Sequence, residues 1–245
     1  MLNVDRLKLF PNQETGGDPT ECTALTVTDI CANIIGLAFD PDFQYASTFK
    51  LLGQLPSTNG TDPLAAMQTA IYYGLLPASD ETFTALLNGE LYAANIANYT
   101  PYDLQAALVH TMAGIEPIGV NFSEVCAYIL GTKWGVSVPM TWHASFLTAP
   151  NGMLQMPIPG EPTSNHNIAV YGVDDNNNLI FKPWLGPKWG NGGYGSMSRA
   201  VFNAVATNGI AFDPDGSRWM SILGLILTRF PGILLTPKLI NANAN

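Results

Sequence analysis

Charged residues are scarce in this 245-residue sequence, where Lys, Arg, Asp and Glu together make up 12%, about half the usual fraction. Ten basic residues face nineteen acidic ones, so the formal net charge is −9. A chain with so few basic side chains has little to attract a phosphate backbone, and we expect no nucleic-acid partner. The sparse charge also leaves a largely neutral surface, which suits a subunit that buries surface against partner subunits.

Cysteine is scarce as well. Cys22, Cys31 and Cys126 are odd in number and include no CxxC pair, which argues against a disulfide framework in a chain of this length. The N-terminal residues contain no apolar stretch of the kind that a secretory signal needs. We therefore expect the chain to stay in the cytoplasm of the producing cell, unless it leaves as a virion component.

Long hydrophobic runs are nearly absent, and the one exception is residues 219–235. This apolar segment is interrupted by Arg229 and Pro231, and it falls short of the roughly 20 residues that span a bilayer. We expect a core strand, or an edge docked on a partner subunit, and the length of the segment argues against a membrane partner.

Two motifs imitate ligand sites but fail on context. The run Gly190–Gly195 spells GxGxxG, yet the preceding strand ends eight residues earlier and no βαβ unit follows. The acidic run at 174–178 lacks the glycine and glutamate of a calcium loop. HExxH, P-loop and GxSxG motifs do not occur in the sequence. We expect no cofactor and no metal.

The remaining sequence predicts helices first and strands later. Helices are predicted to start at Asp62-Pro63 and at Thr100-Pro101, because an N-cap residue before proline is the usual order. After Gly114 the content becomes strand-like, and residues 168–173 and 179–182 predict a hairpin around the turn-forming run DDNNN. Helices followed by strands indicate an α+β fold.

The length suits one large domain or two lobes packed into one unit, and 47% hydrophobic residues support a packed core. We predict a single unit over 1–245, with a mainly helical lobe at 11–114 and a mainly β lobe at 115–215. Residues 216–245 would form an apolar C-terminal extension. Within the helical lobe, Phe39–Asp42 is expected to be a turn.

Cys22 is the first candidate for chemistry. It lies in the first turn of a predicted helix, where unpaired N–H groups and the helix dipole favour a thiolate. Cys31 lies nine residues later and therefore on the opposite helix face. A buried, inert thiol is an equally simple interpretation of Cys22, and it is the one we give to Cys31 and Cys126.

Histidine occurs only three times. His110 lies in an apolar stretch that predicts a core residue, and His143 has no partner by spacing. His166 directly precedes the strand IAVYGV, where a general base can be held rigidly. A histidine at the start of a strand is more often structural, so the position alone does not decide its role.

Three stretches of sequence favour a catalytic role for Cys22 and His166 over a structural one. They are QETGGDPTECTALT at 13–26, DPLAAMQTAIYYGLLP at 62–77, and a His-strand-turn-strand-Gly-Trp-Gly block at 150–197. Together they resemble the papain-like thiol peptidases, in which a Cys at a helix N-terminus is followed, far downstream, by a His at the start of a strand. The resemblance covers roughly residues 11–197, and the last block is its most specific part.

The resemblance implies two lobes, one helical and one a twisted antiparallel sheet, with the active site in the cleft between them. Cys22 would be the nucleophile, a thiolate paired with His166 as imidazolium. Gln13 would donate its side-chain amide to the oxyanion, together with the backbone N–H of Cys22. The substrate would be an extended peptide, or a peptide-like amide, lying in the cleft.

The sequence departs from the family pattern at several positions, and three of these departures bear on the site. Pro183 stands where the family has the Asn that orients the imidazole, so that role is vacant unless another group substitutes. The aromatic residue that normally shields this contact is displaced, because Trp184 is adjacent and Leu185 stands in its place. Gln13 lies nine residues before Cys22, a longer gap than usual, so its loop must bulge.

Two functions follow from these observations. The first is a papain-like cysteine peptidase, or a related thiol acyl-transferase, that cleaves a peptide amide through a thioacyl intermediate on Cys22. The alternative is a catalytically weak or inactive subunit with the same fold, serving as a structural or docking part of a large assembly such as a phage tail. Pro183, the sparse charge and the apolar segment 219–235 motivate this alternative.

Overall fold

The computed structural model describes residues 22–55, 60–78 and 95–213. Gln13 and the apolar segment 219–235 lie outside the described residues, and so do the whole predicted C-terminal extension and the start of the helical lobe. The division into lobes at residue 114 therefore stays a prediction. In the described ranges, no helix is long and apolar enough to cross a membrane.

The described elements follow the predicted order of helices and then mainly strands. In chain order they are α1 (Cys22–Ile35), α2 (Pro41–Leu52), α3 (Pro63–Tyr72), α4 (Pro101–Ala107), β1 (Ile115–Pro117), α5 (Phe122–Thr132), β2 (Val136–His143), β3 (Thr163–Val173), β4 (Leu179–Lys182), β5 (Gly195–Met197), α6 (Arg199–Val205) and β6 (Ile210–Phe212). Short 3₁₀ turns lie at Ile96–Asn98, Ala144–Thr148 and Pro150–Gly152. The predicted α+β fold is confirmed.

The helix starts show why these residues form helices. Asp62 caps α3 by accepting the backbone N–H of Ala65, and Pro63 follows in the first turn, as predicted. Thr100 and Asp103 form a reciprocal capping box at the start of α4, which is also as predicted. Phe39–Asp42 is not the expected turn, because Asp40 caps α2 by the same mechanism and the helix begins at Pro41.

Helix α5 was not predicted. Its N-cap is Asn121, whose side chain accepts the N–H groups of Ser123 and Glu124 and donates to the carboxylate of Glu124. The pattern of an Asn followed three residues later by Glu is a helix-start signal, and it could have revealed the element. Helix α4 ends at Ala107, and the next residue, Leu108, is exposed.

The six strands form one antiparallel sheet in the order β1-β6-β2-β3-β4-β5. Strands β2 and β3 pair over eight residues, with Met140 opposite His166 and Pro139 opposite Asn167. The predicted hairpin is confirmed as β3–β4, and its turn is closed by Asp174, which accepts the N–H groups of Asn176 and Asn178.

Helix α1 packs on the sheet through apolar side chains. Val27 and Ile30 are fully buried in one cluster with Ala169 and Tyr171 of β3. The helix is therefore held by burial of its apolar side chains against the middle of β3, the strand that carries His166. This packing sets the distance between the first turn of α1 and the strand.

Candidate active site

Cys22 is the first residue of α1, and its side chain is buried. Its Sγ atom lies 3.3 Å from the backbone nitrogen of Asn167, which donates a hydrogen bond to the sulfur. Asn167 directly follows His166 on β3. The fold thus brings the predicted nucleophile to the strand position next to the predicted base, although 144 residues separate the two in sequence.

The other two cysteines lie elsewhere. Cys31 is fully buried in the cluster between α1 and the sheet, and burial raises the pKa of its thiol well above the usual value. This agrees with its interpretation as a small buried hydrophobic residue. Cys126 is only partly buried in α5, so the same interpretation fits it less well. Of the three thiols, Cys22 is the one that accepts a hydrogen bond from the backbone next to His166.

His166 is buried on β3, and its Nε2 atom lies 2.9 Å from the carbonyl oxygen of Pro183. A carbonyl oxygen can only accept a hydrogen bond, so Nε2 must carry the proton. In the neutral imidazole the other nitrogen, Nδ1, then has a free lone pair and acts as a base. The Pro183 position therefore does contact the imidazole, through its main chain rather than its side chain.

Trp142 is a site residue that sequence reasoning missed. Its ring centroid lies 4.7 Å from that of His166, and it also packs against Phe146 and Trp189. Antiparallel pairing with β3 places Trp142 two residues along β2 from the partner of His166. Trp184, which is displaced from the usual shielding position, donates its indole N–H to Thr26. The indole ring packed beside the imidazole is that of Trp142.

Burial dominates the electrostatics of the pair. It raises the pKa of Cys22 to about 11, although the N–H of Asn167 acts in the opposite direction. Burial lowers the pKa of His166 to about 4, opposed by the hydrogen bond to Pro183. Both groups are therefore neutral at pH 7 in this structure. This differs from the thiolate–imidazolium pair that the family resemblance implies, because a buried site disfavours separated charges.

The other predicted or rejected residues lie away from this pair. His143 ends β2 and has a partner after all, since its Nδ1 lies 3.2 Å from a carboxylate oxygen of Glu161. His110 follows α4 and packs near the ring of Phe39. Within the three described ranges, no group of three or more His, Cys, Asp or Glu side chains is placed to hold a metal ion.

The glycines of the GxGxxG run have a packing explanation. A Cβ atom on Gly190 would lie 2.3 Å from the carbonyl oxygen of Tyr194, and one on Gly195 would lie 2.7 Å from that of Gly152. Two turns of backbone therefore approach each other too closely for any side chain. This close approach accounts for Gly190 and Gly195 without a nucleotide ligand, and Gly192 has a left-handed φ of +64° that favours glycine.

No family model and no curated protein matches this sequence. Several solved structures do resemble this fold. Xylellain, a cysteine protease from Xylella fastidiosa, matches with a TM-score of 0.66 at 13% identity, over 79% of this chain and 79% of that chain. The Carica candamarcensis cysteine protease CMS1MS2, in complex with E-64, matches with a TM-score of 0.59 at 16% identity, over 82% of this chain and 92% of that chain.

The Amb a 11 cysteine protease, a ragweed pollen allergen, was solved in its proform and gives a TM-score of 0.57 at 16% identity. The match covers 78% of this chain and 57% of that chain. Sequence identities this low carry the fold and not the activity. The element order, the antiparallel sheet and these three matches agree on one conclusion: the chain has the papain-like fold of cysteine proteases.

Proposed function

We propose that this protein is a cysteine peptidase, which hydrolyses peptide amides through a thioacyl intermediate on Cys22. The observation that carries the proposal is the position of the Cys22 sulfur, 3.3 Å from the backbone nitrogen of Asn167 and so beside His166. The Pro183 carbonyl fixes the proton of His166 on Nε2, which leaves Nδ1 as the base. A thiol beside an oriented imidazole is the minimum set for nucleophilic catalysis.

The reaction balances with these two side chains and water. Nδ1 of His166 takes the thiol proton while Sγ of Cys22 bonds to the scissile carbonyl carbon. The imidazolium then gives that proton to the departing amine, the C–N bond breaks, and a thioester remains on Cys22. Water, deprotonated by His166, attacks the thioester, releases the carboxylic acid and restores the thiol. Gln13 stays the predicted oxyanion donor, together with the Cys22 N–H.

The pKa directions predict how the thiol is activated. Because burial raises the pKa of Cys22 and lowers that of His166, the thiol loses its proton as it attacks and not beforehand. Alkylation of Cys22 by iodoacetamide should then be slow at pH 7 and should accelerate as the pH rises toward 11, as read by peptide mapping. Rapid alkylation that persists below pH 6 would instead show a preformed thiolate–imidazolium pair.

The structural-subunit alternative gains no support. The three structures described above are cysteine proteases, and nothing in them points to a virion or tail component. The apolar segment that motivated partner subunits lies outside the described residues. Pro183 also counts less against catalysis than its side chain suggests, since its carbonyl contacts the imidazole. The proposed partner is therefore a peptide or protein substrate.

The test is cleavage of a mixed peptide library by the full chain, with products identified by mass spectrometry. Wild type should cleave, and Cys22→Ala and His166→Ala should each lower the rate by about 1,000-fold or more. An acid quench during turnover should trap wild type with the acyl mass added on the peptide that contains Cys22. This adduct would identify the covalent intermediate directly.

Cys31→Ala is the matched control, because it removes a second buried thiol from the same helix. It should retain the wild-type cleavage pattern. If wild type cleaves no peptide, or if Cys22→Ala cleaves as well as wild type, the proposed function is wrong.

A further inference from the structure

The helix that carries Cys22 also holds both neighbours of Pro183. Cys22, Thr26 and Asp29 are spaced i, i+4 and i+7 on α1 and therefore share one face of the helix. Cys22 contacts β3, whereas Thr26 and Asp29 reach the residues on either side of Pro183. We call Thr26, Asp29, Lys182 and Trp184 the clamp.

The first half of the clamp is a hydrogen bond between Trp184 and Thr26. The indole Nε1 of Trp184 donates to Oγ1 of Thr26 over 2.9 Å. The same hydroxyl donates to the backbone carbonyl of Asn167 over 3.3 Å, and Thr26 is fully buried. One threonine thus ties the residue after Pro183 to the strand segment that follows His166.

The second half of the clamp is ionic. Nζ of Lys182 lies 3.6 Å from a carboxylate oxygen of Asp29 and 4.2 Å from the ring centroid of Trp184. The hydroxyl of Tyr171 donates to the other carboxylate oxygen of Asp29. Lys182 therefore lies between the buried carboxylate and the indole ring, which restricts the strand end just before Pro183.

The backbone between the two halves is in a rare conformation. Trp184 has φ of +65°, in the left-handed region that bulky residues avoid. This angle sets the direction of the peptide group whose carbonyl belongs to Pro183. Such conformations persist only where surrounding contacts enforce them, and here the contacts are those of the Trp184 side chain with Thr26 and Lys182.

From this geometry we infer that Thr26 and Trp184 are positioning residues, which hold the Pro183 carbonyl against Nε2 of His166. They thereby keep the imidazole in the tautomer that leaves Nδ1 for the thiol. The orienting role thus passes from an asparagine side chain to a main-chain carbonyl, and the nucleophile's own helix secures it. The inference rests on the proposed function for its kinetic consequence alone.

The direct test is the tautomer of His166, observed by ¹⁵N NMR of the imidazole in a Cys22→Ala background without substrate. The sequence has three histidines, so the spectrum is simple, and His166→Gln assigns the signal. We expect the Nε2–H tautomer alone in the background protein. Thr26→Val and Trp184→Phe, which each remove one partner of the indole bond, should give a mixture of both tautomers.

Two further variants test whether the Thr26 hydroxyl and the Pro183 main-chain carbonyl are the groups that fix the tautomer. Thr26→Ser keeps the hydroxyl and should keep the Nε2–H tautomer. Pro183→Ala keeps the carbonyl and should also keep it, because the acceptor belongs to the main chain. Thermal unfolding of each variant checks that the fold is retained.

The kinetic test uses peptide hydrolysis by the Cys22-containing chain. Thr26→Val and Trp184→Phe should each lower kcat about 10- to 100-fold with little change in KM, because the base is misoriented while substrate binding is untouched. The double variant should lose no more than either single variant, since both break one interaction. Thr26→Ser keeps the hydroxyl and should hydrolyse peptides at the wild-type rate.

Thr28→Val is the matched control, because Thr28 is a buried threonine of the same helix whose hydroxyl donates to the carbonyls of Ala24 and Leu25 within α1. It should hydrolyse peptides as wild type does. An unchanged His166 tautomer in both Thr26→Val and Trp184→Phe would overturn the inference, as would a tautomer mixture in Pro183→Ala. If the tautomers change as expected but wild type cleaves no peptide, the positioning role stands and the proposed function fails.

Discussion

The two sides of the described structure bury different kinds of side chain. On the sheet side, the cluster enclosed by β2, β3, β4, α5 and α6 is apolar, with Val138, Val170, Phe181 and Phe202 all fully buried. On the helical side, α2 and α3 bury polar residues as well as apolar ones, and the polar set includes Gln44, Thr48, Gln68 and Thr69. The sheet side is stabilised mainly by apolar burial, whereas the helical side combines apolar burial with internal hydrogen bonds.

Those hydrogen bonds are only partly complete. The side-chain amide of Gln44 donates to the carbonyl of Ala66 and to the hydroxyl of Thr69, which joins α2 to α3. Among the described residues, Gln68 is buried with neither side-chain amide atom hydrogen-bonded. A buried amide without partners costs free energy, so Gln68 is a destabilising group within the helical side.

The largest expected effect is loss of apolar volume from the sheet side. Phe202→Ala removes a fully buried ring that packs edge-on against Phe122, and it should lower the free energy of unfolding by about 3–5 kcal/mol. Urea unfolding followed by fluorescence measures this. Phe202→Leu keeps most of the volume and should cost less than half as much. Equal costs for the two variants would contradict a close-packed cluster.

The next effect is a loss of stability in acid. His166 has a pKa of about 4 when folded and an ordinary pKa of 6.5 when unfolded, so the unfolded chain binds the extra proton between these values. The contribution of His166 to the free energy of unfolding is therefore fully present above pH 6.5. It decreases by about 3 kcal/mol as the pH falls to 4. Urea unfolding at pH 7 and pH 4 measures the loss.

The control for acid sensitivity is His166→Gln, which cannot titrate in this range. Its stability should fall less than that of wild type over the same pH interval, by the amount assigned to His166. If both proteins lose stability equally, His166 is not held neutral by the dry environment of the sheet side.

A smaller effect, opposite in sign, is expected on the helical side. Gln68→Met replaces the unpartnered amide by an apolar chain of similar shape and should raise the free energy of unfolding by about 1–2 kcal/mol. The matched change on the sheet side is Ser137→Ala, which deprives Asn167 of the hydroxyl that donates to its Oδ1. Ser137→Ala should lower the free energy of unfolding. If both variants change it in the same direction, the contrast between the helical side and the sheet side is wrong.

The smallest effect is expected at an exposed helix end. Thr100→Ala removes the hydroxyl that accepts the backbone N–H of Asp103 in the capping box of α4, and it should cost about 1 kcal/mol. Thermal unfolding is sensitive enough to detect this. Thr100→Ser keeps the hydroxyl and should match wild type within a few tenths of a kcal/mol. A loss above 2 kcal/mol would mean that α4 is held by its cap more than by packing.

Local signals in the sequence predicted several of the elements. The starts at Asp62-Pro63 and Thr100-Pro101 were predictable because a cap and a proline act within one helical turn. The same signal at Asp40-Pro41 was taken for a turn, since aspartate and proline favour both structures. The long strand β2 was not predicted, because its pairing with β3 depends on residues far away in sequence.

The site was predictable only in part, and for a comparable reason. Cys22 and His166 carry reactive side chains in a recognisable order, so residue type identified them. The contact of Asn167 with the sulfur and that of Pro183 with the imidazole are made by main-chain groups, which every residue has. Trp142 reaches His166 through strand pairing, which no local pattern encodes.

A main-chain acceptor beside His166 also has an evolutionary consequence. Point mutation can replace an asparagine side chain, but no codon change deletes a carbonyl group. The side chain at position 183 is therefore under little selection, and even proline is tolerated there. Selection acts instead on the residues that orient the Pro183 peptide group. Related chains that retain this arrangement should tolerate diverse residues at the position of Pro183 while keeping a hydroxyl and an indole where Thr26 and Trp184 stand.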